Sequence, residues 1–161
     1  MLQFRNARPS DADRCFRIET SAYEGDEAAT LDKIATRIAG YPEGFVLVEV
    51  DGAVAGFINA GCAHVVEMAD EAFKDLVGHD PEAPHVVIMS VVVDPAFQGR
   101  GLSRALMEEF VARMRGMGKS TIHLMCRDHH VPLYERFGFA YDRPSASDHG
   151  GMRWHEMSMR L

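Results

Sequence analysis

Cysteine is scarce in this 161-residue chain: Cys15, Cys62 and Cys126 are far apart and none stands in a CxxC pair. That spacing argues against a disulfide framework and against a cysteine-built zinc site, and the three read as small buried hydrophobes. Apolar runs of membrane-spanning length are also missing, so no bilayer span is expected. Met1-Leu2-Gln3-Phe4-Arg5 lacks the apolar stretch of a signal peptide, and a cytoplasmic protein is the expectation. Positive charge is in deficit, with 17 Lys and Arg against 24 Asp and Glu and a formal net charge of −7. Nucleic-acid binding calls for a basic surface and is not expected. An acidic chain attracts cations, including a protonated amine; equally, the charge serves only to keep the protein soluble.

What is present fits an ordinary folded domain. The chain is 47% hydrophobic and 25% charged, without repeats, low-complexity stretches or an obvious linker, so one domain over residues 1–161 is expected, as a monomer or homodimer. Leu2–Ala7 alternates as a strand, and Pro9-Ser10-Asp11 opens a helix with Ser10 as N-cap and Asp13 in the capping-box position. Leu31, Ile34, Ala35 and Ile38 fall on one face of a second helix that stops at Gly40. Asp51-Gly52 joins the runs 45–50 and 53–60 as a type I′ hairpin. Residues 62–84 read as an acidic loop with a short helix near 70–77, and the β-branched run 85–93 as a strand buried on both faces. A helix over 104–115 has the stripe Met107, Phe110, Val111 and Met114. Strand 120–126, helix 131–137, strand 139–141 and a final strand with a bulge between Trp154 and Met157 complete the chain. The order β-α-α-β-β-β-α-β-α-β-β predicts an α/β (α+β) fold, a mixed sheet flanked by helices.

One segment stands out chemically. Val91-Val92-Val93-Asp94-Pro95-Ala96-Phe97-Gln98-Gly99-Arg100-Gly101-Leu102-Ser103 runs from strand through turn into helix. Gly99 and Gly101 permit positive φ and close approach of a ligand. The N–H groups from Gly99 to Arg104 are the orphan donors of a helix start, and with the helix dipole they suit a pyrophosphate. Arg100 adds a positive charge. By itself such a glycine pair is as often a structural turn, and it is neither a GxGxxG fingerprint nor a P-loop.

Gln98-Gly99-Arg100-Gly101-Leu102-Ser103 resembles the [Q/R]xxGx[G/A] motif of the GCN5-related N-acetyltransferases, with Ser in the last small-residue position. About thirty residues on, the run from Leu124-Met125-Cys126-Arg127-Asp128 to Tyr134-Glu135-Arg136-Phe137-Gly138-Phe139 is similar to their second signature, ending in YxxxGF. In detail it looks like the arylalkylamine (serotonin) branch, which Glu156-Met157 also matches. The resemblance implies a mostly antiparallel sheet whose central strands 85–93 and 120–126 splay to admit a pantetheine arm. It implies acetyl-CoA as cosubstrate without a metal. It also implies cofactor contacts from Val91, Val92, Val93, from Gln98, Gly99, Arg100, Gly101, Leu102 and Ser103, and from Asp128 and Tyr134.

Acyl transfer from a thioester to an amine needs a base, an oxyanion donor and an acid for the departing thiolate. The resemblance assigns the acid to Tyr134 and the oxyanion donor to the Val91 N–H; the alternative for Tyr134 is a packed core residue. The histidine pair of the vertebrate branch is absent, since Val87 and Met89 occupy those positions. His85 lies on the same strand face as a substitute base or simply caps the strand. Tyr23-Glu24-Gly25-Asp26-Glu27 resembles the acidic stretch of insect arylalkylamine enzymes, which makes Glu27 the expected general base ahead of Asp26 or Glu24. Those carboxylates otherwise only begin a helix. His129-His130 beside Asp128 lacks a third ligand at useful spacing, so no metal is expected. Cys126 ends a buried strand and is expected to be inert rather than a ping-pong nucleophile. Trp154, Phe57 and Tyr23 line an aromatic amine pocket or are ordinary core, and Glu67, Asp70, Glu71 and Asp75 attract a polyamine or form a solvated face. The activity implied is N-acetylation of a small primary amine, of arylalkylamine or polyamine type. A non-catalytic acyl-CoA-binding module and a protein or peptide acetyltransferase remain the alternatives.

Overall fold

The computed structural model describes residues 1–23 and 28–161. In chain order the elements are β1 (Leu2–Asn6), α1 (Ala12–Ala22), α2 (Leu31–Gly40), β2 (Phe45–Val50), β3 (Ala53–Ala63), β4 (His85–Val93), α3 (Leu102–Gly116), β5 (Thr121–Cys126), α4 (Val131–Arg136), β6 (Ala140–Pro144) and β7 (His155–Arg160). Short 3-10 turns fill several of the connections. The strands hydrogen-bond in the order β1-β2-β3-β4-β5-β7-β6. Pairing is antiparallel for β1/β2, β2/β3, β5/β7 and β6/β7, and parallel for β4/β5. This mixed, mostly antiparallel sheet flanked by helices is the expected architecture.

The chain divides into two compact units, Met1–Ala60 with Ser90–Phe110, and Gly61–Met89 with Val111–Leu161. In the first, α1 and α2 pack Cys15, Ile18, Ile34 and Ile38 against Phe45, Leu47 and Phe57. Phe45 and Phe57 stack with ring centroids 5.2 Å apart, an arrangement worth about 1 kcal/mol beyond its area. The buried face of α2 includes Arg37 alongside Ile34 and Ile38, while Leu31 and Ala35 are exposed; the stripe read from spacing alone is rotated by the burial of that arginine. Arg37 reaches the Asn59 side chain at 3.4 Å, an arrangement invisible to an apolar period.

The start of α1 differs from expectation. A 3-10 turn over Pro9–Asp11 precedes the helix. Asp11, not Ser10, holds the N-cap position of α1, without a side-chain cap bond to the helix; its carboxylate accepts from the Arg8 N–H at 2.7 Å and so closes a capping box on the turn. Both oxygens of Asp11 also accept from the Arg5 guanidinium at 2.8 Å, and Arg5 reaches Glu49 at 3.1 Å. A bidentate partner outcompetes a lone hydroxyl for the turn.

The hairpin at Asp51-Gly52 is present, with φ of 50° and 86° as a type I′ turn requires. Gly56 on β3 has a steric reason: a Cβ there would lie 2.5 Å from the Val92 carbonyl oxygen, so only glycine lets β4 approach. β4 is less buried than its composition suggests, because Met89, Val91 and Val93 are only half-buried. The expected stripe of α3 is buried throughout, together with Leu106. The bulge lies on β6, where Asp142 is the extra residue between Tyr141 and Arg143, opposite Met157 and Glu156. The change of phase in β7 had marked its level but not its strand.

Loss of Asp11 strands the Arg5 guanidinium and the Arg8 N–H. Asp11→Ala should therefore destabilise the protein by about 3 kcal/mol, read from denaturant unfolding. The Asp11 carboxyl is held below its ordinary value, chiefly by the Arg5 hydrogen bond. A depressed folded-state pKa gives stability that is fully present above the unfolded value of about 3.9 and disappears as pH falls through the folded one. Acid unfolding of wild type should show that loss below about pH 4, and Asp11→Asn should flatten it.

Candidate functional site

β4 and β5 are joined by only three pairs, His85↔Thr121, Val86↔Ile122 and Val87↔His123. β5 stays paired to β7 as far as Cys126↔His155. Beyond Val87 and His123 no further pair joins the two strands. Asp94 ends β4 under several constraints. Its N–H donates to Ala55 O at 2.7 Å, and one carboxylate oxygen accepts from the Ala96 N–H at 2.9 Å. The other accepts from Arg14 Nη2 of α1 at 2.6 Å, and the same nitrogen reaches Val54 O at 2.9 Å. The Ala96 N–H first, and Arg14 second, hold the Asp94 carboxyl below the usual carboxylate range. The strand end is thus clamped to α1 before the chain enters the glycine turn.

In that turn Gly99 and Gly101 have φ of 80° and 73°, and a Cβ on either would meet no protein atom within 4 Å. The glycines are required by the backbone conformation and leave the space above them open. The first backbone bond of α3 runs from Ala105 N to Gly101 O at 3.1 Å. The N–H groups from Gly99 to Ser103 donate to no acceptor among the described residues. Leu102 is buried and anchors the helix start, while Gln98, Gly99, Arg100 and Gly101 are exposed. Arg100 lies over the Phe97 ring at 5.3 Å, and Gln98 Nε2 donates to Val93 O at 3.4 Å. Open N–H donors at a helix N-terminus beside an exposed guanidinium are chemistry that suits an anion.

Val91 is partly committed already. Its carbonyl accepts from the Tyr23 hydroxyl at 3.1 Å, so the backbone it offers to a ligand narrows to its N–H. Tyr23 and Phe57 belong to the packed core of their unit. Trp154 is engaged elsewhere, its indole donating to His149 O at 2.8 Å. None of the three therefore stands as a bare pocket wall. Glu24, Asp26 and Glu27 lie outside the described residues.

The second unit holds the remaining candidates. Tyr134 is buried, 8% exposed, with its ring edge-on to Phe137 and Phe139 at 6.0 and 5.9 Å and to His130 at 6.3 Å. His85 Nδ1 meets the Thr121 hydroxyl at 2.7 Å, and that hydroxyl also meets His123 Nε2 at 2.9 Å. Burial first, then the neighbouring His85, lowers the His123 pKa. His85 thus begins β4 in a His-Thr-His chain, six residues before Val91. Asp128 pairs with His155 Nε2, and His155 Nδ1 meets the Tyr141 hydroxyl at 2.9 Å. The His155 bond lowers the Asp128 pKa. The polar contact expected of Asp128 toward a cofactor has to compete with that pair. Burial pushes the Cys126 thiol up to about 11, which fits an inert cysteine. The rings of His129 and His130 lie 4.1 Å apart, tilted by 45°, and no group of three or more metal-ligating side chains converges among the described residues.

Of the acidic loop, Glu71 is committed to Lys74 and His149, both at 2.8 Å, while Asp70 caps the 3-10 turn over Glu71–Asp75 through Ala72 N–H. Glu67 and Asp70 line a cavity. Sequence reasoning had missed the Arg14–Asp94 clamp, the Tyr23–Val91 bond and the Asp128–His155–Tyr141 chain. Each joins residues remote in sequence through ordinary polar side chains, and carries no local signal.

Comparison with known proteins agrees with this geometry. The sequence profile described as Acetyltransferase (GNAT) family matches residues 11–139. Over 58 residues the chain is 47% identical to serotonin N-acetyltransferase 2, chloroplastic, of Oryza sativa subsp. japonica, covering 36% of this chain and 29% of that one. The matched stretches span 29% to 39% of the curated relatives' own lengths. Among solved structures, the loading GNATL domain of CurA from Lyngbya majuscula superposes with a TM-score of 0.87 at 14% identity, covering 99% of this chain and 98% of that one. GphF GNAT-like decarboxylase in complex with isobutyryl-CoA superposes with a TM-score of 0.83 at 18% identity, covering 98% of each chain. At such identities these likenesses speak for the fold, whereas the profile spans most of the chain and includes the glycine turn and Tyr134: the chain belongs to the acetyltransferase (GNAT) family.

Proposed function

We propose that the protein transfers an acetyl group from acetyl-CoA directly to a small primary amine. The observation that carries this reading is the run of N–H donors from Gly99 to Ser103 without acceptors among the described residues, set on two open, positive-φ glycines at the start of α3. Those donors fit the pyrophosphate of a CoA thioester, with Arg100 and Gln98 at the rim. Along β4 the half-buried backbone from Val91 to Val93 suits the amides of a pantetheine arm. When bound, acetyl-CoA supplies the activated acyl group.

The chain's own residues then divide the proton work. The amine must arrive without its proton, since an ammonium has no lone pair. Glu27 accepts that proton, through water, in the role its likeness to the insect enzymes suggests. The amine nitrogen bonds to the thioester carbon, and the Val91 N–H stabilises the oxyanion that forms. The C–S bond breaks as the carbonyl re-forms, Tyr134 protonates the leaving thiolate, and the second proton of the nitrogen passes through water to restore the Tyr134 hydroxyl. His85, engaged with the Thr121 hydroxyl at 2.7 Å, is kept as the alternative base.

Three outcomes test these roles. Gly101→Val places a β-branched side chain at positive φ over the donors. It should abolish acetyl-CoA binding in calorimetry, while a strain of only about 1–2 kcal/mol leaves the protein folded. A variant whose Tm falls while the folded protein still binds acetyl-CoA with wild-type affinity would mark the turn as structural. Tyr134→Phe should lower kcat about 100-fold with acetyl-CoA affinity unchanged, and an unaltered kcat removes Tyr134 as the acid. Glu27→Gln should lower kcat/KM for the amine about 100-fold near neutral pH, and an unaltered pH profile points back to His85 or bulk water. Tight acetyl-CoA binding with no amine turned over would support a non-catalytic binding module instead.

A further inference from the structure

The short ladder between β4 and β5 is crossed by a chain of side-chain hydrogen bonds. His85 lies opposite Thr121, and Val87 opposite His123. Ladder partners share a face of the sheet, as do residues two apart on one strand, which brings His85, Thr121 and His123 together. The Thr121 hydroxyl meets His85 Nδ1 at 2.7 Å and His123 Nε2 at 2.9 Å. The two rings stand edge to face with centroids 6.0 Å apart, and all three side chains are half-buried. Every member of the chain, and the whole of the ladder it spans, belongs to the second unit. With three backbone pairs to hold it, this ladder depends on its cross-strand side chains more than a long one would.

We propose that this His-Thr-His chain is a proton-operated latch, which holds the β4/β5 ladder while one imidazole is neutral and releases it when both are charged. A hydroxyl carries one proton. It donates to a bare nitrogen of one imidazole and accepts from an N–H of the other, so the chain needs a neutral ring at one end. With both rings protonated, both facing nitrogens are donors and the hydroxyl proton loses its acceptor. Two cations then stand with ring centroids 6.0 Å apart, where half-burial leaves them poorly screened. No carboxylate bonds either imidazole among the described residues. Glu156 of β7 is paired with Arg143 of β6 at 2.8 Å, and Asp142 of β6 accepts from Ser158 Oγ at 3.1 Å. Arg160 of β7 stands opposite Thr121, and Lys119 is held on the Pro81 and Ala83 carbonyls before β4, so two more cations flank the chain. Burial and His85 lower the His123 pKa, and Asp142 and Glu156 offset this only in part. A histidine with a depressed folded-state pKa takes its proton more readily when unfolded. Stability is therefore undiminished above the ordinary histidine value of about 6.5 and declines as pH falls below it.

The test is amide hydrogen exchange of the full chain at about pH 7.5 and about pH 5, either side of the ordinary histidine value, corrected for the intrinsic pH dependence of exchange. Protection of the amides at 85–87 and 121–123 should fall about tenfold at the lower pH, while the β1/β2 ladder keeps its protection. His123→Gln, whose side-chain amide still bonds the hydroxyl but gains no charge, should keep its protection at both pH values. Thr121→Val, which removes the link, should show the weakened ladder already at the higher pH. Imidazole NMR shifts of the wild type should show His85 and His123 titrating in two coupled steps, and His85→Gln should move the His123 step to higher pH. Equal wild-type protection at the two pH values overturns the proposal, as does a fall shared by the β1/β2 ladder. So do two histidine titrations that ignore each other, or a His123→Gln variant as sensitive to acid as the wild type. The wild-type exchange and titration decide the matter even if a variant fails to fold.

Discussion

Backbone hydrogen-bonding groups without protein partners are the constraint around which this fold is arranged. A sheet ordinarily satisfies every interior N–H and C=O in its ladders, and leaving one unmet costs about as much as a lost hydrogen bond. Here the ladder between β4 and β5 stops after three pairs, and the chain then enters a helix whose first donors have no acceptor among the described residues. Exposed donors of this kind are met by water or by a ligand. A CoA thioester has the complementary inventory, with amides along its arm and a pyrophosphate at its end.

Holding these groups in place falls to side chains far from the turn. Arg14 on α1 grips both Asp94 and the Val54 carbonyl, while Tyr23 at the end of the same helix holds the Val91 carbonyl. Gly56 lets β4 lie close enough to β3 for Asp94 N–H to reach Ala55 O. The glycine turn is therefore conformationally permissive only in name. Its two ends are fixed, by Asp94 on one side and by buried Leu102 on the other.

Much of this was readable from the chain, and the unreadable part has a common character. Helices α2 and α3, the Asp51-Gly52 hairpin and the glycine turn rest on periodicity, on turn chemistry or on positive φ, all local properties. The errors arose where a polar side chain found a distant partner. Asp11 displaced Ser10 as the cap because Arg5 was available to grip it, and Arg37 rotated the buried face of α2 because Asn59 lies beneath it. The apolar phase breaks in β7 and points to a bulge there, although the extra residue sits on β6.

The amino-acid sequence by itself determined the family, the order of elements and the placement of the phosphate-type turn, because each depends on residues near one another in the chain. It also carried Tyr134 within its signature. Only the tertiary structure decided what surrounds the candidates: that Asp128 is paired with His155, that His85 shares a hydroxyl with His123, and that Glu67 and Asp70 line a cavity while Glu71 pairs with Lys74 and His149. Charge, burial and hydrogen-bond saturation are properties of neighbours in space. A carboxylate looks the same in sequence whether its partner is an arginine, a histidine or open solvent, and only folding chooses among them.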